Sequence, residues 1–152
     1  MTTEVLIRAA TADDVEWLAS RLRLYFSDCY GTKRPLFQND EFTQGFMLTL
    51  MKEHLVLIAE KGKERVGFVA GVLSPALYEP SLRVLSETFW WVEKAYRRSK
   101  AATLLLDAFT AWGRRHADWI FFGLPTDADV TDRTMARKGY RMQERFYLLE
   151  VT

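Results

Sequence analysis

The spacing of apolar residues divides the chain into strand-like and helix-like stretches. Residues 5–10, Val-Leu-Ile-Arg-Ala-Ala, read as a first strand. Thr11 follows as an N-cap with Asp13 and Asp14 in the first turn. Val15, Leu18, Leu22 and Tyr25 or Phe26 then recur at helical spacing, which predicts an amphipathic helix of about four turns. From Ser27 to Asn39 the pattern gives way to turn-forming residues, so a loop is expected there. Residues 40–52 restore a helical repeat, with Phe42, Phe46, Leu50 and Met51 on one side.

Residues 54–60 are a short apolar run and read as a buried strand. The Lys61-Gly62-Lys63 turn returns the chain through residues 65–73, predicting a hairpin. Residues 74–80 carry two prolines and are expected to form a loop, after which 83–92 is β-rich. Residues 99–116 predict the longest helix, with Ala102, Leu105, Phe109 and Trp112 along its seam and Arg114, Arg115 and His116 at its C-terminal end. A central strand is expected over 119–124, a loop over 125–129, and a short helix over 131–138 that Gly139 stops. The tail, 140–151, reads as a last strand. The pattern therefore predicts one mixed α/β domain over residues 1–152, antiparallel in its first half.

Composition narrows the setting. Against 21 Lys and Arg stand 20 Asp and Glu, a net charge of +1 that argues against a polyelectrolyte partner such as bulk nucleic acid. A single cysteine, Cys29, excludes an internal disulfide and a cysteine-rich zinc site. No apolar run approaches the roughly 18–20 residues of a membrane span, and no leader pattern is visible, so a cytoplasmic protein without a metal or membrane partner is expected. The aromatic share, 14%, permits a homodimer interface as well as a core.

Phosphate-loop, dinucleotide-binding, zinc-protease and serine-elbow motifs are all absent. His54 and His116 flank a strand and end a helix, which gives little support for a triad or a metal. The chemistry concentrates at the junction 92–102, where Lys94, Arg97, Arg98 and Lys100 precede the longest helix. A helix start offers free N–H groups and a positive dipole, which suits a phosphate or pyrophosphate. Ala101 and Ala102 are small enough to let a ligand approach the backbone.

This junction resembles the acyl-coenzyme A loop of the GNAT superfamily of N-acetyltransferases, Val-x-x-x-x-Arg-x-x-Gly-x-Gly/Ala, with Val92, Arg97, Lys100 and Ala102 in the matching places. The order of elements, the opening Arg8–Asp14 tract, Gly67 in the third strand and Arg137-Lys138-Gly139-Tyr140 are similar to that superfamily too. The Phe89–Val92 strand with its Arg-Ser-Lys-Ala-Ala turn resembles small members from bacteriophages. The resemblance implies a largely antiparallel sheet flanked by helices and splayed between the fourth and fifth strands. It also implies transfer of an acetyl group from acetyl-CoA to a primary amine by direct attack. Arg97, Arg98, Ser99, Lys100, Ala101 and Ala102 would hold the pyrophosphate, and backbone groups at Trp91 or Val92 would polarise the thioester carbonyl.

Glu87 stands where several members carry the base that deprotonates the amine, and Phe89 is expected to share its strand face and raise its pKa. The tyrosine that many members use to protonate the thiolate is replaced by Met135, which leaves Tyr140 or Tyr147 as substitutes. Tyr30, Phe37 and Tyr78 are the loop aromatics expected to line the acceptor site. Lys100 in a glycine position and Met135 in a tyrosine position favour a second reading, an inactive acyl-CoA-binding or protein-interaction module. A nucleic-acid or ribosome-associated module built on 94–100 and 133–145 ranks last, given the neutral net charge.

Overall fold

The computed structural model describes residues 4–30, 33–126, 128 and 130–151, without the side chains of Cys29 and Tyr30. Its strands are β1 (Val5–Ala9), β2 (Leu55–Lys61), β3 (Glu64–Ala76), β4 (Glu79–Val92) and β5 (Trp119–Phe121). Its helices are α1 (Val15–Tyr25), α2 (Asp40–Glu53), α3 (Ala101–His116) and α4 (Asp132–Arg137). The strands form one sheet in chain order. Four are antiparallel in succession, and β5 joins β4 in parallel after the α3 crossover.

Both sheet faces are covered. Leu55, Leu57, Val66, Val69, Leu85 and Trp90 meet Leu105, Leu106 and Phe109 of α3 on one side. Val56, Ile58, Phe68, Phe89 and Trp91 meet Leu18, Leu22 and Tyr25 of α1 and Met47 and Leu50 of α2 on the other. Burial on two faces explains why β2 reads as a continuous apolar run rather than an alternating one. At Gly71 the fit is tight: a Cβ there would lie 2.6 Å from the Phe109 ring, so α3 can sit on the sheet only because the residue is glycine.

The start of α1 is held by a buried carboxylate. Asp14 is fully buried and receives two bonds from Arg8, one from Arg65 and the Thr11 N–H. Burial alone would raise its pKa, but these donors prevail and hold it well below the usual carboxylate range. Asn39 caps α2 by accepting the Phe42 N–H at 2.9 Å, and Gly139 ends α4 with φ +92°.

Several expectations need correction. Residues 74–80 are not a loop: β3 and β4 run on into a long hairpin that turns at Leu77 and Tyr78. On α2 the inner face is Thr43, Met47 and Leu50, whereas Phe42 is 62% exposed. The helix carries apolar residues on two sides, and the sheet takes the one that the aromatic loop residues do not. β5 is an edge strand, not a central one, and keeps three ladder residues before Gly123 and Pro125 break it. Residues 140–151, expected as a last strand, form no ladder: the sheet ends at β5.

Candidate active site

β4 and β5 pair through Val84–Trp119, Leu85–Ile120 and Ser86–Phe121, and then separate. From that point β4 stays paired with β3 up to Val92, while residues 122–125 leave the sheet. The splay opens beside a β-bulge: Ala70 faces Phe89 and Gly71 faces Glu87, which leaves Thr88 unopposed. Cross-strand partners share a face, and the Gly71 side of the sheet is the α3 side. Glu87 therefore projects toward α3, while Phe89 packs in the α1–α2 layer. The expected face-sharing of Phe89 with Glu87 is wrong, and the bulge is the reason.

Glu87 sits at the vertex of the splay. Its Oε2 accepts the Gly123 N–H at 3.3 Å, a bond that spans the two arms. Among the described residues no lysine or arginine pairs with it. Burial pushes its pKa up to about 8, and the Gly123 N–H pulls only weakly in the other direction. A carboxyl group with that pKa exchanges its proton near neutral pH.

Along β4 the Glu93 N–H donates to Val66 O at 2.8 Å. Strand alternation then turns the backbone of Trp91 toward β3 and that of Trp90 and Val92 toward the opening. Of the two expected backbone sites, Val92 faces the opening and Trp91 does not. The indole N–H groups of Trp90 and Trp91 are buried and have no hydrogen-bond partner among the described residues. Such groups cost on the order of 1–3 kcal/mol each unless something accepts from them. Trp90 also meets Phe122 edge-on at 5.1 Å, so two rings bridge the arms on the α3 side.

The cationic junction is more divided than its sequence suggests. Arg97 folds back, its guanidinium 4.6 Å from the Trp91 ring and its Nε donating to Val92 O at 3.0 Å. Lys94 pairs with Asp28, and Glu93 pairs with Arg21. Arg98 and Lys100 stay exposed. Ser99 N–H bonds Tyr96 O, and Ser99 Oγ accepts the Ala101 N–H, so these two amides are taken by the turn itself. The first helical bond starts at Leu104, which leaves Ala102 and Thr103 ahead of it. The Ala101 and Ala102 side chains are buried in the core and let α3 lie close to the sheet.

The other candidates scatter. Tyr140 packs on Phe122, its hydroxyl lies 2.6 Å from Thr110 Oγ1, and burial raises its pKa. Tyr147, the other substitute acid, is 88% exposed. Met135 is a buried α4 residue packed into the α3 layer. Phe37 adopts φ +55° and stacks its ring among Phe26, Phe42, Phe46 and Phe89, so it builds an aromatic wall. The Tyr30 side chain lies outside the described residues. Tyr78 stands at the β3–β4 hairpin tip beside Trp119, nine residues along β4 from Glu87, and the structure does not bring it to the splay. His54 Nδ1 accepts the Leu73 N–H, and His116 stacks on Trp112. Sequence reasoning missed Gly123 and the Trp90 and Trp91 indoles. Adjacent tryptophans on a strand buried on both faces were the available signal, since each must place an N–H in a different layer.

The model of the Acetyltransferase (GNAT) family matches this chain over residues 17–133, which hold the splayed pair and the cationic turn before α3. The chain belongs to the GNAT acetyltransferase family. It is accordingly an acyltransferase, of a family that uses acetyl-CoA. Solved structures share the fold across nearly the whole chain. A predicted acetyltransferase with acetyl-CoA from Clostridium acetobutylicum is 17% identical, with TM-score 0.73 and coverage of 97% and 96% of the two chains. A ribosomal-protein-alanine N-acetyltransferase from Brucella melitensis is 19% identical, with TM-score 0.67 and coverage of 98% and 100%. An aminoglycoside acetyltransferase from an uncultured soil metagenomic sample is 21% identical, with TM-score 0.65 and coverage of 98% and 99%. The comparison with curated proteins finds no match.

Proposed function

We propose that this GNAT protein moves an acetyl group from acetyl-CoA to a primary amine by direct attack, with Glu87 as the base. The observation that carries this reading is the half-buried Glu87 carboxyl, held by the Gly123 N–H at the vertex of the splay with no cation paired to it among the described residues. An ammonium group must lose a proton before its nitrogen can attack a thioester, and a carboxylate with a pKa near neutral can accept that proton. The nitrogen then bonds the acetyl carbon, the carbon–sulfur bond breaks, and the thiolate leaves. A thiol of pKa about 8.5 departs with little assistance, which makes Met135 tolerable. We assign to Tyr140 the smaller task of returning a proton, since its raised pKa keeps the phenol protonated.

In this reading the pyrophosphate rests on the turn before α3, held by the backbone around Arg98, Lys100 and Ala102 and by the exposed Arg98 and Lys100 side chains. The Val92 N–H, turned toward the opening, polarises the thioester carbonyl. The amine approaches between the separating arms of β4 and β5, through which its nitrogen reaches the Glu87 carboxyl on the α3 side. The protein works in the cytoplasm as one domain over residues 1–152, and the likeness to bacteriophage members rests on the Phe89–Val92 strand and the turn after it. No helix of the described residues is long and apolar enough to cross a membrane.

The test pairs binding with turnover. Acetyl-CoA should raise the melting temperature of the parent protein, and Arg98→Glu with Lys100→Glu should require roughly tenfold more acetyl-CoA for the same shift. Thiol release should then appear with at least one amine in a panel of peptides, polyamines and aminoglycosides. No thermal shift in the parent would sink the proposal; a shift without any thiol release would instead favour an inactive acyl-CoA-binding module.

A further inference from the structure

The net charge of +1 is an average over two unequal parts. Residues 133–145 hold five of the 21 cations and one of the 20 carboxylates, a net charge of +4, which leaves −3 for the rest of the chain. The five are Arg133 and Arg137 on α4, Lys138 at its end, and Arg141 and Arg145 beyond it. All four arginines are exposed. Arginines elsewhere are tied down: Arg8 and Arg65 grip Asp14, Arg21 pairs with Glu93, and Arg23 with Asp40. In residues 133–145 Lys138 has such a partner, Asp107 of α3, and among the described residues the four arginines have none.

α3 adds a cation to the same surface. Its Arg114 guanidinium lies 3.9 Å from where a Gly139 side chain would begin, which sets it beside the end of α4. Arg114 stands near the far end of α3 from Ala101, roughly 20 Å away by helical rise, so this surface is separate from the turn proposed for the pyrophosphate. Aromatic rings then follow the cations. Phe146 and Tyr147 come directly after Arg145 at 91% and 88% exposure. No helix, turn, bend or ladder in residues 141–151 holds them against the body.

Guanidinium groups take phosphate through paired N–H bonds. A bare ring stacks on a base whose own face is uncovered. One ligand chemistry uses both, a phosphate backbone that carries unpaired bases. We propose that the surface from Arg133 to Tyr147, with Arg114 beside it, binds single-stranded nucleic acid, its phosphates on the arginines and its bases on Phe146 and Tyr147. A duplex would meet the arginines but cover its base faces, and an acidic protein would leave the rings unused. This binding does not depend on the proposed reaction.

Fluorescence anisotropy tests it with a labelled mixed-sequence strand of roughly 12 nucleotides, as RNA and as DNA. A Kd in the micromolar range is expected at low salt for at least one strand, and the pair of probes tells the two sources apart. Four phosphate contacts on a single strand predict a slope of about −2.8 for log K against log salt, or roughly a 50-fold loss between 50 and 200 mM. Arg137→Gln with Arg141→Gln should halve that slope and weaken binding by about tenfold or more. Tyr147→Ala should weaken binding by about fivefold or more with the slope unchanged. Melting temperature and the acetyl-CoA thermal shift check that each variant keeps its fold, and the salt slope of the parent needs no variant. Arg98→Glu with Lys100→Glu should leave the strand bound as before. No binding at low salt, equal affinity for a duplex or for polyglutamate, or tighter binding to phosphatidylserine vesicles would each overturn the proposal. So would a loss of binding in the Arg98 and Lys100 variant instead of the Arg137 and Arg141 variant.

Discussion

β4 and β5 enter the splay side by side, yet they are anchored to very different degrees. β4 is paired with β3 over most of its 14 residues, and its last four are buried. β5 contributes three residues, two of them exposed, and is bonded on one side. Glu87 belongs to the firm strand, while its hydrogen-bond partner Gly123 belongs to the loose arm. The lesson is that a strand paired along its length can fix a carboxylate at the edge of an opening whose other arm is held by three ladder residues alone. The bulge at Thr88 makes the placement possible, because it turns Glu87 and Phe89 to opposite layers.

The largest effect is expected at the vertex. Glu87→Gln keeps the shape and removes the base, so kcat/KM should fall by roughly 10²–10⁴-fold, while acetyl-CoA binding, read as a thermal shift, is retained. A comparable loss of binding would mean that the carboxyl holds the arms rather than moves a proton.

Next comes the firm strand itself. Gly71→Val forces a side chain into the Phe109 ring and should cost about 1–3 kcal/mol of unfolding free energy, measured by denaturant titration. An unchanged midpoint would show that α3 does not press on the bulge. At the turn, Arg98→Glu with Lys100→Glu should raise KM for acetyl-CoA roughly tenfold, or about 1.4 kcal/mol, with kcat little changed. The same substitutions at Arg97 would also unstack Trp91, so they do not isolate the phosphate contact. The smallest effect is expected at Tyr140→Phe, about threefold in kcat, because the leaving thiol needs little acid; a fall of a hundredfold would make Tyr140 the principal acid.

Stability should carry the same signature. Glu87 has a folded-state pKa raised to about 8 from an ordinary 4.5. The native state therefore holds this proton more firmly than the unfolded chain. Its contribution is full below about pH 4.5 and is lost as the pH rises toward 8. Melting temperatures of the parent should decline over that interval more steeply than those of Glu87→Gln, and parallel curves would place the carboxyl in water.

Much of this architecture was legible from spacing. Val15, Leu18, Leu22 and Tyr25 all face the core as their period predicts, and the 92–102 junction stands at the start of α3. What escaped depends on contacts distant in sequence. The proline-bearing 74–80 stretch pairs as strand because each proline sits near the far end of a hairpin, where fewer ladder donors are needed. Phe37 looked like a free loop aromatic and instead meets Phe89 edge-on from a backbone with φ +55°. The cation cluster lost Lys94 to Asp28 and Arg97 to Trp91, partners that no local pattern announces. The tail has strand composition and no strand, since composition sets the propensity but a neighbour makes the ladder.

The most direct measurement is the pH dependence of thiol release from acetyl-CoA with a fixed amine, compared between the parent and Glu87→Gln. The account predicts that kcat of the parent rises through an apparent pKa near 8 and that this rise disappears in the variant along with most of the rate. The same rise in both proteins, at similar rates, would contradict it and place the base elsewhere.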